Sequence, residues 1–442
     1  MKVPERMGWR YLGFFITGFI WSSVTIWINC WFLLLLNLVL FDLFITRKVD
    51  WTLRRYGLPR LLQLTLEWLA VLILAIICSF SIKMLLIETY KIPTPSMEET
   101  LLPGDYIFVS KLAYGPRLPE TPLAFPFYHN KLPSGKKSYS ERITMPYKRL
   151  RGFSSVKRGD IIVFNFPEGD TMVVQYPGQN YYSLARQYGR EYILSQFDII
   201  THPVDKRENF VKRCIGLPGD TIRIVDGEVE VNGETNPVRP TQEFKYYVTT
   251  RGGPLPDELL DSLKILKSSV TYNPANSLHV LSLTGQKLES LRSSPMVRSI
   301  KRYTEPMLSF QNQEIFPHSN HYRWTGDNFG PLVVPARGDT LQITMLNLPL
   351  YQRIINVYEN NDLRIKGGDI YINDELAYRY VVKMNYYFVM GDNHHNSADS
   401  RYWGFVPEDH LLGKAVTVWF SIEPGKSIID GLRKERIFSA IK

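Results

Sequence analysis

The chain has 442 residues, a formal net charge of +9, and 45% hydrophobic residues. This length exceeds a typical single domain, so two or more folded units are expected. The positive charge favours an anionic partner, either nucleic acid or the anionic face of a membrane. The three cysteines, Cys30, Cys78 and Cys214, follow no pairing pattern, so neither a disulfide framework nor a cysteine-based metal site is predicted.

Residues 1–88 are predicted to form a helical membrane anchor. One helix over the apolar residues 11–46 would be about 54 Å long, nearly twice the ~30 Å hydrocarbon core. Two short spans with a turn near Asn29 therefore fit better than the alternative, one long tilted span. Residues 68–87 could cross once more. Basic residues in 47–60 predict a cytoplasmic loop and place everything after Glu88 on the far side.

After this anchor, the pattern changes to that of antiparallel β structure. Residues 105–110, 160–166 and 221–225 are short runs rich in β-branched and aromatic side chains. Asp226-Gly227 and Asn232-Gly233 flank an alternating segment, as in β-hairpins. The sequence therefore predicts a β-rich catalytic domain over 89–233 and 364–442.

Residues 234–363 lack a clear pattern and are predicted to form a large α+β insertion domain, with a short helix at 257–267. The expected fold class is thus an anchor of two or three transmembrane helices plus a mainly antiparallel β catalytic domain carrying this insertion. No chemistry is evident in the insertion.

Two histidine pairs could suggest a metal site. His318 and His321 lie in a polar loop, where surface histidines are the better interpretation. Adjacent histidines such as His394 and His395 rarely bind one ion together. The acidic residues that could complete such sites are Glu314 or Asp327 for the first pair, and Asp392 and Asp399 for the second. Since neither pair favours a metal, no metal is expected.

A candidate nucleophile, Ser96, lies just after the predicted anchor. Pro93 and Pro95 fix their own φ angles and push Ile92 and Thr94 toward extended geometry. A rigid, extended serine suits a nucleophile that meets an extended peptide at a membrane surface. The alternative is an ordinary proline-rich linker.

Lys212 is a candidate general base for this serine. If its segment is a strand, Phe210, Lys212 and Cys214 share one apolar face. A lysine with an ordinary pKa of ~10.4 is only about a thousandth deprotonated near neutral pH, but burial lowers that pKa. A desolvated amine beside a serine hydroxyl can then act without a histidine. The alternative is a lysine that reaches solvent or pairs with Asp220.

A dense polar loop follows the strand-like residues 387–390. Its Ser397 could hold the lysine amine in place, and Asp392, Asp399 and Arg401 could form an ion-pair network that braces the loop. On this segment alone, an ordinary solvated loop is the simpler interpretation.

Four segments together resemble the sequence boxes of bacterial type I signal peptidases, the leader peptidase family with a Ser-Lys dyad. They are Ser96-Met with Thr100-Leu and Gly104-Asp, Arg158-Gly-Asp-Ile-Ile-Val-Phe, Lys212-Arg-Cys-Ile-Gly-Leu-Pro-Gly-Asp, and Gly391-Asp-Asn with Asn396-Ser-Ala-Asp-Ser-Arg. The resemblance covers residues 92–115, 156–167, 209–233 and 387–420. The large inserts and extra N-terminal apolar segment resemble the version found in Bacteroidetes-type bacteria.

The resemblance implies a membrane-bound serine endopeptidase that cleaves signal peptides from exported preproteins through an acyl-enzyme. Ser96 would be the nucleophile, Lys212 the general base and Ser397 the residue that orients the lysine. Thr94 would form the oxyanion hole with the Ser96 backbone N–H. The residues implied to line the substrate pockets are Ile92, Pro93, Leu101, Phe210 and Val211.

The implied partners are preproteins bearing signal peptides and membrane lipids, with no nucleic acid, cofactor or metal. The implied location is the inner (cytoplasmic) membrane, as a multi-pass protein whose catalytic domain is periplasmic. Three pairs depart from the family pattern: Glu98-Glu99, Asn209-Phe210 and His394-His395.

Two other functions are compatible with parts of the sequence. A non-catalytic membrane scaffold could hold exported chains in the same groove, but it would not need Ser96, Lys212 and Ser397. A self-cleaving Ser-Lys regulator is the third possibility, and the absence of a recognisable DNA-binding segment weighs against it.

Overall fold

The structure is a computed structural model that describes residues 5–28, 36–46, 59–125, 128–306 and 314–441. The predicted turn near Asn29 lies outside the described residues. So does most of the predicted basic loop 47–60, of which only residues 59 and 60 are described.

The α-helices of the described residues are short after the first ninety residues. In chain order they are α1 (Glu5–Ile28), α2 (Leu36–Phe41), α3 (Arg60–Leu85), α4 (Tyr181–Tyr188), α5 (Arg190–Gln196), α6 (Asp257–Ser262), α7 (Gly285–Arg292), α8 (Leu348–Arg353), α9 (Ser400–Trp403) and α10 (Ile428–Gly431).

The β-strands form most of the rest. Those before residue 240 are β1 (Ile87–Lys91), β2 (Asp105–Ser110), β3 (Ile161–Asn165), β4 (Thr171–Val173), β5 (Ile199–Thr201), β6 (Asn209–Gly216), β7 (Thr221–Val225), β8 (Glu228–Val231) and β9 (Glu234–Thr235). The next are β10 (Phe244–Thr250), β11 (Thr271–Asn273), β12 (Leu278–Leu283), β13 (Val297–Arg302), β14 (Phe329–Val333) and β15 (Thr340–Gln342). The last are β16 (Leu363–Lys366), β17 (Asp369–Ile372), β18 (Glu375–Leu376), β19 (Arg379–Val381), β20 (Tyr386–Met390), β21 (Val406–Pro407), β22 (Leu411–Ser421) and β23 (Ser439–Ala440).

The largest sheet of the described residues contains the strands that carry the candidate site. Its order is β1-β2-β22-β3-β6-β20-β21, with β23 also paired to β22. The pairs along this path are antiparallel, as predicted. The long strand β22, near the end of the chain, lies between β2 and β3 and so joins the two parts of the sheet.

Two hydrophobic clusters cover the large sheet, because alternate side chains of a strand point to opposite faces. On β3, Ile161 and Val163 belong to one cluster, while Ile162 and Phe164 belong to the other. The second cluster also contains Cys214 of β6. Because alternate side chains of β3 are buried in different clusters, the register of β3 and β6 is fixed, with Ile162 opposite Lys212.

The hairpin prediction around residues 221–235 is confirmed. β7 pairs with β8, and β8 with β9. The connecting residues Asp226, Gly227, Asn232 and Gly233 all have positive φ, between 48° and 81°. A two-residue turn with both φ values positive matches the twist of the strands it joins, and Asp-Gly and Asn-Gly adopt it readily.

Part of the predicted insertion forms a sheet of its own, in the order β11-β12-β10-β13. A separate hydrophobic cluster packs on it and includes Val248, Leu281 and Leu291. Later in the predicted insertion, β14 pairs with β7. The boundaries at 234 and 363 stay predictions.

The predicted helical membrane anchor is wrong. Within the described residues, no helix combines the length and the apolar character needed to cross a membrane. Both long helices carry charged residues: α1 contains Arg10, which donates a hydrogen bond to the Phe44 carbonyl. In α3, the uncharged stretch between Glu67 and Lys83 is shorter than the ~20 residues of a typical membrane-spanning helix.

Candidate active site

Ser96 is held at the end of an extended segment that continues β1. The Ile92 N–H donates to the Asp105 carbonyl at 2.8 Å, and the Gly104 N–H donates to the Ile92 carbonyl at 2.9 Å. Thr94 is extended, with φ −125° and ψ 155°, as expected for a residue before proline. One 3₁₀ turn, Pro95–Met97, then buries Ser96, which is only 8% exposed.

Lys212 reaches this serine from the middle of β6. Its Nζ lies 2.5 Å from the Ser96 Oγ, and its side chain is buried. The ammonium also lies 5.9 Å from the centre of the Phe210 ring, on the same face of the strand. The structure therefore brings together two side chains that are 116 positions apart.

The environment of Lys212 lowers its pKa to about 8, and burial is the main cause. Asp399 and Asp392 act in the opposite direction, while the positive charge of Arg401 lowers the pKa further. Because an ordinary lysine is almost wholly protonated near neutral pH, this shift creates a usable fraction of neutral amine.

The backbone of Ser96 is fixed by the loop that follows β20. The Asn393 N–H donates to the Ser96 carbonyl at 3.1 Å. At Gly391, a Cβ would lie 2.3 Å from the Ser397 Oγ and 2.5 Å from the Ser96 carbonyl oxygen. Such distances are below any van der Waals contact, so only glycine allows this close approach.

Two buried ion pairs support this loop. The carboxylate of Asp392 accepts two hydrogen bonds from Arg213, at 2.7 and 2.6 Å, and one from Thr100 at 2.6 Å. The carboxylate of Asp399 accepts two from Arg401, both at 2.8 Å. Bidentate pairs of this kind fix orientation as well as charge.

Asp399 also ties the second pair to the loop backbone. It accepts a hydrogen bond from the Gly391 N–H at 3.1 Å. Burial alone would raise the pKa of Asp399, but the adjacent Arg401 guanidinium holds it below its usual value. The carboxylate therefore stays ionised and keeps both contacts.

Ser397 and Thr94 both lie close to the dyad. The Ser397 side chain is buried against Gly391, and its Oγ has no hydrogen-bond partner among the described residues. The Thr94 Oγ1 lies 3.4 Å from the Ser96 Oγ. A buried hydroxyl without a partner is costly, so a small movement that gives the Ser397 Oγ a partner would be favourable.

A cleft of about 360 Å³ opens at the dyad, and we name it the catalytic cleft. Its walls are the segment 90–97, residues 209–212, Asn396 and Ala398. Four of the predicted substrate-binding residues, Ile92, Pro93, Phe210 and Val211, lie in these walls. Leu101 does not: it is fully buried in the hydrophobic cluster beneath the cleft.

The loop that follows β20, residues 391–399, is named the catalytic loop, and its His394 and His395 form a cluster with Asp327. Their potential ligand atoms lie within 4.8 Å of one another, so they have the donor set of a metal site. However, the His394 Nε2 that faces Asp327 also lies 2.9 Å from the Arg401 guanidinium. A cation is thus already present, and hydrogen bonds from His394 and His395 to Asp327, at 2.9 and 3.0 Å, account for the arrangement.

The sequence analysis missed several residues that build the site. Arg213 could have been inferred, since a buried Asp392 requires a counter-ion and Arg213 is the basic residue next to Lys212. Gly391 and Asn393 act through their backbones, which leaves no side-chain signal. Asp327 was considered only with His318 and His321, and its true partners lie 67 and 68 positions away.

Comparison with known proteins gives a consistent result. A family model described as "Signal peptidase, peptidase S26" matches residues 65–271 and 337–420. A protein of Buchnera aphidicola subsp. Baizongia pistaciae named "Signal peptidase I" is 23% identical over 422 residues, which are 93% of this chain and 93% of that protein. Proteins of the same name from Haemophilus influenzae and Aquifex aeolicus are each 25% identical. They cover 85% and 79% of this chain, and 76% and 82% of their own lengths.

Proposed function

Because the chain belongs to the signal peptidase family, peptidase S26, and is a serine endopeptidase that removes signal peptides, we propose that Ser96 and Lys212 perform its reaction. The observation that supports this assignment most is the 2.5 Å distance between the Lys212 Nζ and the Ser96 Oγ. The lowered pKa of Lys212, about 8, supports its role as the base.

The reaction begins when the neutral Lys212 amine takes the proton of the Ser96 hydroxyl. The Ser96 Oγ then attacks the scissile carbonyl carbon and forms a tetrahedral intermediate. As the C–N bond breaks, the Lys212 ammonium returns its proton to the leaving amine, and the signal peptide remains as an ester on Ser96. Water, deprotonated by the same amine, hydrolyses this ester.

Thr94 and the Ser96 backbone N–H would stabilise the negative oxygen of that intermediate. The extended geometry of Thr94 places its hydroxyl next to the nucleophile. Loss of one such donor typically costs about 3 to 4 kcal/mol in the transition state.

Ser397 would complete the site by positioning the lysine. Its buried Oγ lacks a partner among the described residues, and it adjoins the backbone segment that holds Ser96. We assign Ser397 the role of a hydrogen-bond partner for the Lys212 amine during turnover.

The substrate would bind in the catalytic cleft as an extended strand between residues 90–93 and 209–212. Main-chain hydrogen bonds to strand edges supply affinity, and pockets for alternate side chains supply specificity. Partly buried Phe210 and Val211 and buried Ile92 leave shallow apolar pockets, which favour small side chains near the cleaved bond.

The site of action follows from the substrate. Exported preproteins present their signal peptides at the cytoplasmic membrane, so we infer that this enzyme acts on its outer, periplasmic face. Exposed apolar side chains on the segment after Arg117, such as Leu123 and Phe125, would suit contact with lipid.

A preprotein cleavage assay tests the assignment. The wild type should release the mature chain at one bond, whereas Ser96→Ala and Lys212→Met should not. Lys366→Met, a change of an exposed lysine on β16, is the matched control and should cleave normally. Cleavage by Lys212→Met at the wild-type rate would reject the dyad. Binding of the preprotein without any turnover by the wild type would favour the scaffold instead.

A further inference from the structure

A second pocket, of about 390 Å³, adjoins the catalytic cleft, and we name it the insertion pocket. Pro95 and Asn396 line both spaces, so the two meet directly beside Ser96. Most of its other walls come from the predicted insertion, including Thr271, Ser282 and Lys287. A peptide that passes Ser96 can therefore continue from the cleft into this pocket.

The two ends of the catalytic cleft adjoin different pockets, which bears on the part of the substrate that would enter the insertion pocket. At its other end the catalytic cleft reaches Tyr90 and Asn209, which also border a pocket lined by Phe80 and Met84 of α3. With the acyl portion of the substrate in the catalytic cleft, the leaving portion would depart on the opposite side of Ser96, where the insertion pocket begins.

The lining of the insertion pocket contains two carboxylates that suit the N–H groups of a polar peptide. Glu98 is partly buried, and its carboxylate has a long contact with Asn393, at 3.4 Å. Glu243 is 2% exposed, and its Oε2 has no hydrogen-bond partner among the described residues. Burial raises the pKa of Glu98 and raises that of Glu243 to about 7, so added hydrogen-bond donors would stabilise both carboxylates.

The walls of the insertion pocket are fixed relative to the catalytic loop. The Glu243 N–H donates to the Asp392 carbonyl, and the His394 N–H donates to the Glu243 carbonyl, both at 2.9 Å. Lys287 bridges Glu99, at 2.6 Å, and Glu243, at 3.3 Å. The pocket is thus part of the same rigid arrangement as the dyad.

We propose that the insertion pocket binds the first residues of the mature chain, immediately after the scissile bond, as an extended polar segment whose N–H groups donate to Glu98 and Glu243. This inference rests on the proposed function. It makes the insertion part of the substrate-binding site and gives the enzyme a means to select preproteins by sequence on the mature side.

Two synthetic peptides with one signal sequence test the proposal. The short peptide ends, as an amide, one residue after the scissile bond, and the long peptide has four polar residues there. The wild type should cleave the long peptide with a kcat/KM about tenfold higher, the gain expected from one or two hydrogen bonds. Thr271→Trp, which fills the pocket, should reduce this ratio to about twofold. Glu98→Ala removes an acceptor without adding bulk, so it should lower the ratio of the two kcat/KM values by a factor of about three.

Asn273→Trp is the matched control, because it adds the same side chain to the exposed end of β11 outside the pocket lining. It should keep the wild-type ratio. Equal cleavage of both peptides by the wild type, or an unchanged ratio in both pocket variants, would overturn the proposal while leaving the dyad assignment intact. Failure of the wild type to cleave either peptide would instead overturn the proposed function, and this inference with it.

Discussion

The pH dependence of cleavage should report the pKa of Lys212. Only the neutral amine can accept the Ser96 proton, and burial lowers the pKa of this lysine to about 8. Activity should therefore be low at pH 6 and rise tenfold per pH unit until it levels off above pH ~8, as one basic group is deprotonated. Activity rises with pH because the Lys212 amine must lose its proton before it can act as a base.

The magnitude can be worked from the same shift. At pH 7, a lysine with a pKa of about 8 is about one tenth neutral, whereas one at the usual 10.5 is neutral in only about three molecules per ten thousand. The ratio is about 300-fold, equivalent to about 3 kcal/mol. Burial of Lys212 therefore supplies roughly that much of the barrier reduction at neutral pH.

The assay is kcat/KM for a signal-peptide substrate between pH 5.5 and 10.5, together with thermal unfolding of Lys212→Met. Because the folded pKa lies below the unfolded value, the unfolded chain binds more protons between pH ~8 and ~10.5, and the stability of the wild type rises across this interval. The Met variant should thus be more stable than the wild type at pH 7, by an amount that shrinks toward pH 10. A rate that rises only above pH 10, or a Met variant whose advantage is independent of pH, would refute the reasoning.

Three substitutions in the catalytic loop have distinct expected outcomes. Ser397→Ala should lower kcat but change the free energy of unfolding by less than about 1 kcal/mol, since its buried Oγ forms no hydrogen bond with the described residues. Gly391→Ala should lower kcat by roughly 100-fold, because its Cβ would displace the Ser96 carbonyl, and small misplacements of reacting groups cost about that much. Asp399→Asn should destabilise the protein by about 3 to 5 kcal/mol in urea unfolding, because it leaves the buried Arg401 unpaired.

One control variant and two contrary results test these three expectations. Gly252→Ala has open space around its Cβ and no positive φ, so it should retain full activity and is the control for Gly391→Ala. An unchanged kcat in Ser397→Ala would remove that residue from the mechanism. A stability loss below 1 kcal/mol in Asp399→Asn would show that Arg401 finds another partner.

The proposed dyad has local signals in the sequence, although each segment alone left another interpretation open and the resemblance to the family was needed to choose. Pro93 and Pro95 restrict the backbone just before Ser96, and strand alternation places Lys212 on an apolar face. Leu101 was assigned to the substrate pocket without such a signal: it follows a turn, where alternation does not apply, and the structure buries it in the core. The roles assigned to Ser397 and Thr94 stay predictions that the geometry makes testable.

The membrane anchor was predicted wrongly, and contacts between distant segments were not foreseen. The membrane anchor was predicted from apolar composition, and no helix of the described residues has the length and apolar character that it requires. The sequence analysis found no chemistry in the predicted insertion. In the structure, its Glu243 and Asp327 both form hydrogen bonds with the catalytic loop. Such long-range pairings leave no periodicity in the sequence, so pattern alone could not reveal them.

The position of β22 has a consequence for how the proposed site assembles. β22 lies between β2 and β3 in the largest sheet, and β3 pairs with β6, which carries Lys212. Ser96 and Lys212 both precede β22 in the chain, so their alignment requires a strand that follows them. A fragment that contains both side chains but lacks β22 should therefore be inert.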